Sequence, residues 1–278
     1  MTRAVDAHGT YGLRLIGIDG AARLLSPAAA GWPDLHIERR TGCDPRESNS
    51  FDEEVVRYHL QSGGSVTIDR AAQEVVFCMA DPPSDEEVVH PFLFAAAATM
   101  SRWLGRETFH SGAFVADGGA WAVLGAKGSG KSSTLGWLAS RDVVVLSDDL
   151  LVVDDGDALA GPSCIDLRPD AAACLGVGEN LGVVGTRERW RLVTPKAPDR
   201  LPLRGWVFPA WDDEVALVPV PVAERLPRLM ENLALRVPPL RPDRILDLAA
   251  LPCWALRRPR SWDSLDPAVD RLLEAICG

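Results

Sequence analysis

Residues 125–132 read Gly-Ala-Lys-Gly-Ser-Gly-Lys-Ser, a G-x-x-x-x-G-K-[ST] pattern between an apolar run (residues 120–124) and a helix-like segment, Lys131 to Ser140. At this composition about 0.002 chance matches are expected in the whole chain, so no other feature constrains it as strongly. The glycines let consecutive backbone N–H groups turn inward as an anion nest, and the following helix adds partial positive charge at its N-terminus. Gly125, Ala126, Lys127, Gly128, Ser129, Gly130 and Ser133 are therefore expected to surround a polyphosphate. Lys131 brings a compact cation to the β- and γ-phosphates, and the Ser132 hydroxyl ligates Mg²⁺. Lys127, at a variable position, contributes field rather than specificity. Without its flanks the same stretch would also fit a glycine-rich tight turn with an exposed lysine.

The lysine usage singles out the same place. Only Lys127, Lys131 and Lys196 are lysines, against 26 arginines. Arginine serves wherever a surface cation will do, but its wide planar fork does not seat between phosphates. Lys131 is the position arginine cannot take.

Twelve residues after the first helical residue of that segment, Val143-Val-Val-Leu-Ser-Asp148-Asp149 ends a buried strand on two carboxylates. A parallel-type strand beside the loop would deliver them to a metal–phosphate site. One carboxylate suffices for Mg²⁺, and a second can accept the proton of an attacking hydroxyl. Taken alone, the pair also fits a turn between two strands of a hairpin.

From Phe109 to Asp154 the chain resembles the HPr kinase/phosphorylase-like family. The resemblance rests on His110-Ser-Gly, on Leu124-Gly-Ala-Lys-Gly-Ser-Gly-Lys-Ser-Ser and on Leu146-Ser-Asp148-Asp149-Leu150-Leu-Val-Val. It continues more weakly in Ile165-Asp166-Leu167-Arg168-Pro169-Asp170. It implies an α/β fold with a P-loop kinase core like that of HPr kinase and phosphoenolpyruvate carboxykinase, preceded by a small β-rich domain. The implied activity is ATP- and Mg²⁺-dependent phosphorylation of a serine hydroxyl. By position, Lys131 and Ser132 bind phosphate and metal, Asp148 is the base, and Asp149 and Asp166 are metal-side carboxylates. His110 orients the base and Arg168 lines the site. In short divergent members the acceptor can be a peptide made alongside the kinase, such as a lasso-peptide precursor, and the family often forms homo-oligomers. Two departures, Asp166 for glutamate and Pro169 for glycine, point to kinase activity without efficient phosphorolysis.

A formal net charge of −10 argues against a nucleic-acid or anionic-membrane surface, both of which need a basic field. The longest apolar candidate, residues 91–100, falls short of the ~20 residues of a membrane span. Residues 1–6 carry no apolar signal core, and Cys43, Cys78, Cys164, Cys174, Cys253 and Cys277 form no CxxC pair, so free thiols and a cytoplasmic protein are expected. Residues 1–84 pattern as short strands and turns, residues 44–49 and 81–84 as breakers, and 85–278 as the second domain. One helix is expected over residues 85–104, with Ser84 and Glu87 as a capping box. Residues 156–200 look irregular, 203–222 β-rich and 223–235 helical. A terminal amphipathic helix (Leu265, Val269, Leu272, Leu273, Ile276) reads as a docking or oligomer element.

Among the remaining candidates, Arg187, Arg189 and Arg191 could supply transition-state charge, though a solvated basic segment is the simpler reading. Trp190, Trp206, Trp211, Trp254 and Trp262 lack stacking-platform spacing and are assigned to packing. An ATP-dependent kinase acting on a hydroxyl of a peptide or small protein is the leading expectation. A nucleotide-binding regulatory or scaffold protein and a hydrolytic ATPase remain alternatives; ATP could be replaced by another nucleoside triphosphate.

Overall fold

The computed structural model describes residues 7–42 and 49–278. Expectations placed on residues 1–6, Cys43 and 44–48 lie outside the described residues. The architecture is mixed α/β with three sheets.

The alternating N-terminal patterns build strands from His8–Thr10 to Glu74–Cys78, which form one eight-stranded mixed sheet. Its inward residues, among them Leu13, Leu35, Val66, Ile68, Val75 and Phe77, pack with Ala96, Ala97 and Met100 of the helix Leu93–Trp103. Leu150, Val152 and Leu159 join the same cluster, so this core continues into the later part of the chain.

The expected helix over 85–104 starts where its cap predicts. The Ser84 side chain accepts from the Glu87 N–H at 3.3 Å while the Glu87 carboxylate accepts from the Ser84 N–H at 2.7 Å. It is not continuous, however. His90 is extended (φ −153°, ψ 119°), and regular α-helix resumes only at Leu93. Pro91 is the cause, since proline has no N–H to donate and drives the preceding residue out of the α region.

The second sheet positions the glycine-rich loop of residues 125–130. Its strand Ser111–Ala116 lies between Gly119–Leu124 and Val145–Ser147 and is antiparallel to both, with Ser111 opposite Leu124 and Ala113 opposite Ser147. The carboxylate strand is thus one strand removed from the loop strand rather than its neighbour. Both outer strands run the same way and end beside Ser111, so the glycine loop, His110 and the Asp pair emerge at one edge. The helix Lys131–Ser140 lies over this edge because position 112 has no side chain. A Cβ there would stand 2.3 Å from Leu135 Cδ1.

Residues 156–200, expected to be irregular, are ordered. They contribute Asp157–Leu159 to the second sheet, the helix Pro169–Leu175, and the third sheet, in which Arg187–Val193 lies between Cys164–Leu167 and Glu179–Val184. Apolar periodicity cannot reveal Arg187–Val193 because its inward positions include Arg189 and Arg191.

Two other expectations change. The terminal helix Leu265–Cys277 buries Leu265, Val269, Leu272 and Ile276 within the chain. Trp137 Nε1 donates to Asp266 at 3.1 Å and Arg141 to Asp270 at 2.6 Å, so the element docks within the chain, beside the loop helix. Among the cysteines, Cys164, Cys174, Cys253 and Cys277 are free thiols, whereas Cys78 is disulfide-bonded. No helix among the described residues is long and apolar enough to cross a membrane.

Candidate functional site

The loop between Leu124 and Lys131 bends through three glycines with positive φ: Gly125 (154°), Gly128 (88°) and Gly130 (96°). Gly130 caps the helix from the left-handed region, and a Cβ there would press on Arg258 Nη2 at 3.2 Å and Trp211 Cη2 at 3.3 Å. Lys131 folds back over the loop, its Nζ donating to the Gly125 carbonyl at 2.6 Å. Burial lowers the proton affinity of this ammonium, against the opposing pull of Asp149 and Asp148.

Ser132 faces the carboxylate pair, its hydroxyl donating to Asp148 Oδ1 at 3.2 Å. The other Asp148 oxygen accepts from the Asp166 N–H at 3.3 Å, and the residue is 2% exposed. Burial first, then the charges of Asp149 and Asp166, push its carboxyl up to about 8. Asp149 differs. It takes a left-handed backbone (φ 63°) and lines the cavity, which Asp148 does not. The pair is therefore divided into one carboxyl held beneath Ser132 and one open to the cavity.

Asp166 is fully buried, and both its oxygens accept from guanidinium groups. Arg191 Nε reaches Oδ1 at 2.9 Å and Nη2 reaches Oδ2 at 3.1 Å, while Arg189 Nη1 reaches Oδ2 at 3.2 Å. Burial would raise this carboxyl, but His90, Arg191 and Arg189 outweigh it and hold it below the ordinary range. Asp166, expected as a metal-side carboxylate, thus anchors two arginines, and it also brings one potential ligand atom within 4.8 Å of those of His90 and Cys164. Nor are Arg189 and Arg191 solvated. Both are buried, and Arg191 also donates to the His90 carbonyl at 2.5 Å.

His110 lines the cavity with its ring hydrogen-bonded to the Asp149 backbone and edge-on to Phe94 at 5.6 Å. Burial, then Lys131, lowers its proton affinity. Its contact is thus with the main chain of the second aspartate, not with the carboxylate of the first. Arg168 lines the cavity from the residue that caps the helix Pro169–Leu175.

A second histidine, overlooked in the sequence, lies beneath. His90 Nε2 is buried without a hydrogen-bond partner, 3.7 Å from Asp166 Oδ2 and 3.8 Å from Asp149 Oδ2. Burial lowers its proton affinity against those two carboxylates. His90, Asp148 and Asp149 each bring one potential ligand atom within 4.8 Å of the others. Only Pro91, breaking a helical pattern beside a histidine, marked the spot in the sequence.

These groups surround a cavity of about 700 Å³, within the range of small-molecule sites. Lys127, Gly128, Gly130, Lys131, Ser132 and Ser133 form one wall. Arg168, Arg187 and Arg189 form a second, and Trp211, Arg258, Arg260 and Trp262 a third. Trp211 and Trp262, assigned to packing from their spacing, both reach it. Seven cations line the cavity against three aspartates (149, 166 and 170), although the whole chain is net negative. Such a cavity attracts a polyanion, and low-dielectric walls focus the field.

No protein-family profile matches the chain, and no curated protein matches it. Among solved structures, the Hpr(Ser) kinase/phosphatase from Coxiella burnetii is a distant likeness. It is 11% identical with a TM-score of 0.30, over 61% of this chain and 94% of that one.

Proposed function

We propose that this protein is a P-loop kinase that transfers the γ-phosphoryl group of ATP, with Mg²⁺, to a hydroxyl of a peptide or small protein, serine foremost. One observation carries the reading: the G-x-x-x-x-G-K-S loop, Asp149 and a cluster of arginines open onto one cationic cavity, with Asp148 held directly beneath Ser132. A pure nucleotide binder has no need of a second carboxylate beside the first. The donor set fits Mg²⁺, since Ser132, Asp149 and the adjoining Asp148 offer hard oxygens. When bound, the ion would neutralise charge on the β- and γ-phosphates.

The chain's own groups divide the remaining work. The loop N–H groups and Lys131 hold the phosphates, and Ser132 and Asp149 hold the metal. Arg189, fixed by buried Asp166, and Arg168 face charge that spreads over the γ-oxygens. Asp148, the base by the resemblance, would accept the hydroxyl proton in its ionised form, with Ser132 lying between it and the cavity. His110 steadies the Asp149 main chain. Positioning supplies most of the acceleration.

The test is transfer of labelled γ-phosphate to a panel of serine-containing peptides by the full chain. Wild type should phosphorylate a subset, Lys131→Ala should lose nucleotide binding, and Asp148→Asn should bind Mg·ATP without transferring. Transfer that survives both substitutions would refute the assignment. Loss of transfer in Asp149→Asn with normal Mg²⁺ dependence would exchange the roles of the two aspartates. Inorganic phosphate should not drive rapid dephosphorylation of the product.

A further inference from the structure

The third wall of the cavity contains no carboxylate and has no part in the chemistry described above. It comprises Trp211 at the end of the strand Arg200–Trp211, Arg258 at the end of Cys253–Arg258, and the turn that follows, with Arg260 and Trp262. This wall is fastened to the phosphate loop itself. Trp211 Nε1 donates to the Gly128 carbonyl at 3.1 Å, and the Arg258 guanidinium lies over the Trp211 ring at 4.5 Å. Arg258, 3% exposed, also fixes the turn, because its Nη1 donates to the carbonyls of Pro259 and Ser261 and to Ser264 Oγ at 3.1–3.3 Å. Ser264 Oγ closes the turn onto the same two carbonyls at 2.8 and 2.7 Å. Trp262, only part-buried against the core, is thereby presented to the cavity at a fixed place relative to Gly128 and Gly130.

We infer that this wall is the nucleobase subsite, with the Trp262 ring as its stacking surface and Arg260 beside it. The inference rests on the nucleotide reading above. A γ-phosphate must lie by Ser132 and the carboxylates, so the rest of the nucleotide extends the other way, past Gly130, where the cavity offers indole and guanidinium faces. Every base has a π-face, so stacking there tolerates any purine. No group here selects one exocyclic amine: the wall has no carboxylate, the Pro259 and Ser261 carbonyls already accept from Arg258 and Ser264, the Trp211 N–H is spent on Gly128, and the guanidinium of Arg260 can donate to the N7 that both purines share. The site therefore takes adenine and guanine nucleotides alike, and fidelity for ATP has to come from its abundance.

Calorimetry of the full chain with Mg·ATP, Mg·GTP and Mg·tripolyphosphate tests this. ATP and GTP should bind within about threefold of each other, and both at least tenfold more tightly than tripolyphosphate, which has no base to stack. Trp262→Ala should weaken ATP and GTP about tenfold or more and leave tripolyphosphate unchanged, which also reports an intact fold; Trp262→Phe should restore most of the loss. Equal affinity for ATP and tripolyphosphate, an ATP affinity unmoved by Trp262→Ala, or a strong preference for one purine would overturn the subsite while leaving the phosphate loop in place. Failure of all three ligands to bind would remove both readings.

Discussion

Asp148 is a buried carboxyl whose partners are a hydroxyl and a backbone N–H rather than a cation, and this makes a stability prediction. Its proton affinity is raised from the ordinary 3.8 to about 8, so between those pH values the folded chain holds a proton that the unfolded chain has released. Stability then falls as pH rises through that window, because the folded state binds more protons. The limiting slope is about 1.4 kcal/mol per pH unit, and allowing for its decline near the midpoint the loss between pH 6 and pH 8 is about 2 kcal/mol. Asparagine suits the same place without titrating. Its oxygen can accept from the Asp166 N–H and its amide can donate to Ser132. Asp148→Asn should therefore gain on wild type by about 2 kcal/mol across that interval in metal-free buffer. Thermal melts followed by circular dichroism would show this as roughly 4–8 °C in the difference between the two Tm values. Histidine titrations are common to both proteins and cancel. A difference that stays constant with pH, or that turns against the variant as pH rises, would show that Asp148 is ionised in the folded protein and would refute the reasoning.

Two further substitutions probe the surroundings. Lys131→Arg keeps the charge but replaces a slim ammonium by a planar fork at a buried place, and should weaken Mg·ATP binding about a hundredfold with an unchanged circular dichroism spectrum, as titration calorimetry would register. Arg191→Ala leaves the fully buried Asp166 with Arg189 as its only guanidinium partner and should cost about 3–5 kcal/mol in urea unfolding, whereas Arg191→Ala/Asp166→Ala should recover part of that loss; strictly additive effects would argue against the pairing.

Much of the candidate site was legible because it is local. The glycine loop, Lys131 and Ser132 are contiguous, and the helix they open runs from Lys131 to Ser140 as its pattern suggests. Ser84 and Glu87 announce a helix start for the same reason, since both partners of the capping box lie within one turn. The Asp pair could be placed at a strand end, but its separation from the loop strand could not, because strand order depends on which edges pair.

A glycine-rich G-x-x-x-x-G-K-S loop, a carboxylate pair after the next apolar run and a β-rich beginning were legible in the sequence, each carried by residues within a few positions of each other. Tertiary structure decided what those groups meet. Asp166 faces Arg191 across the third sheet, in a register that also brings Arg189 to it. Two arginines that a linear reading leaves in solvent are buried there because a buried carboxylate compensates them. Trp211 and Trp262, fifty-one residues apart, reach one cavity because their strand end and turn are tied together by Arg258. His90 joins the carboxylates only because Pro91 breaks the helix at that point. Charge burial is settled by partners distant in the chain, and no periodicity in the sequence encodes it.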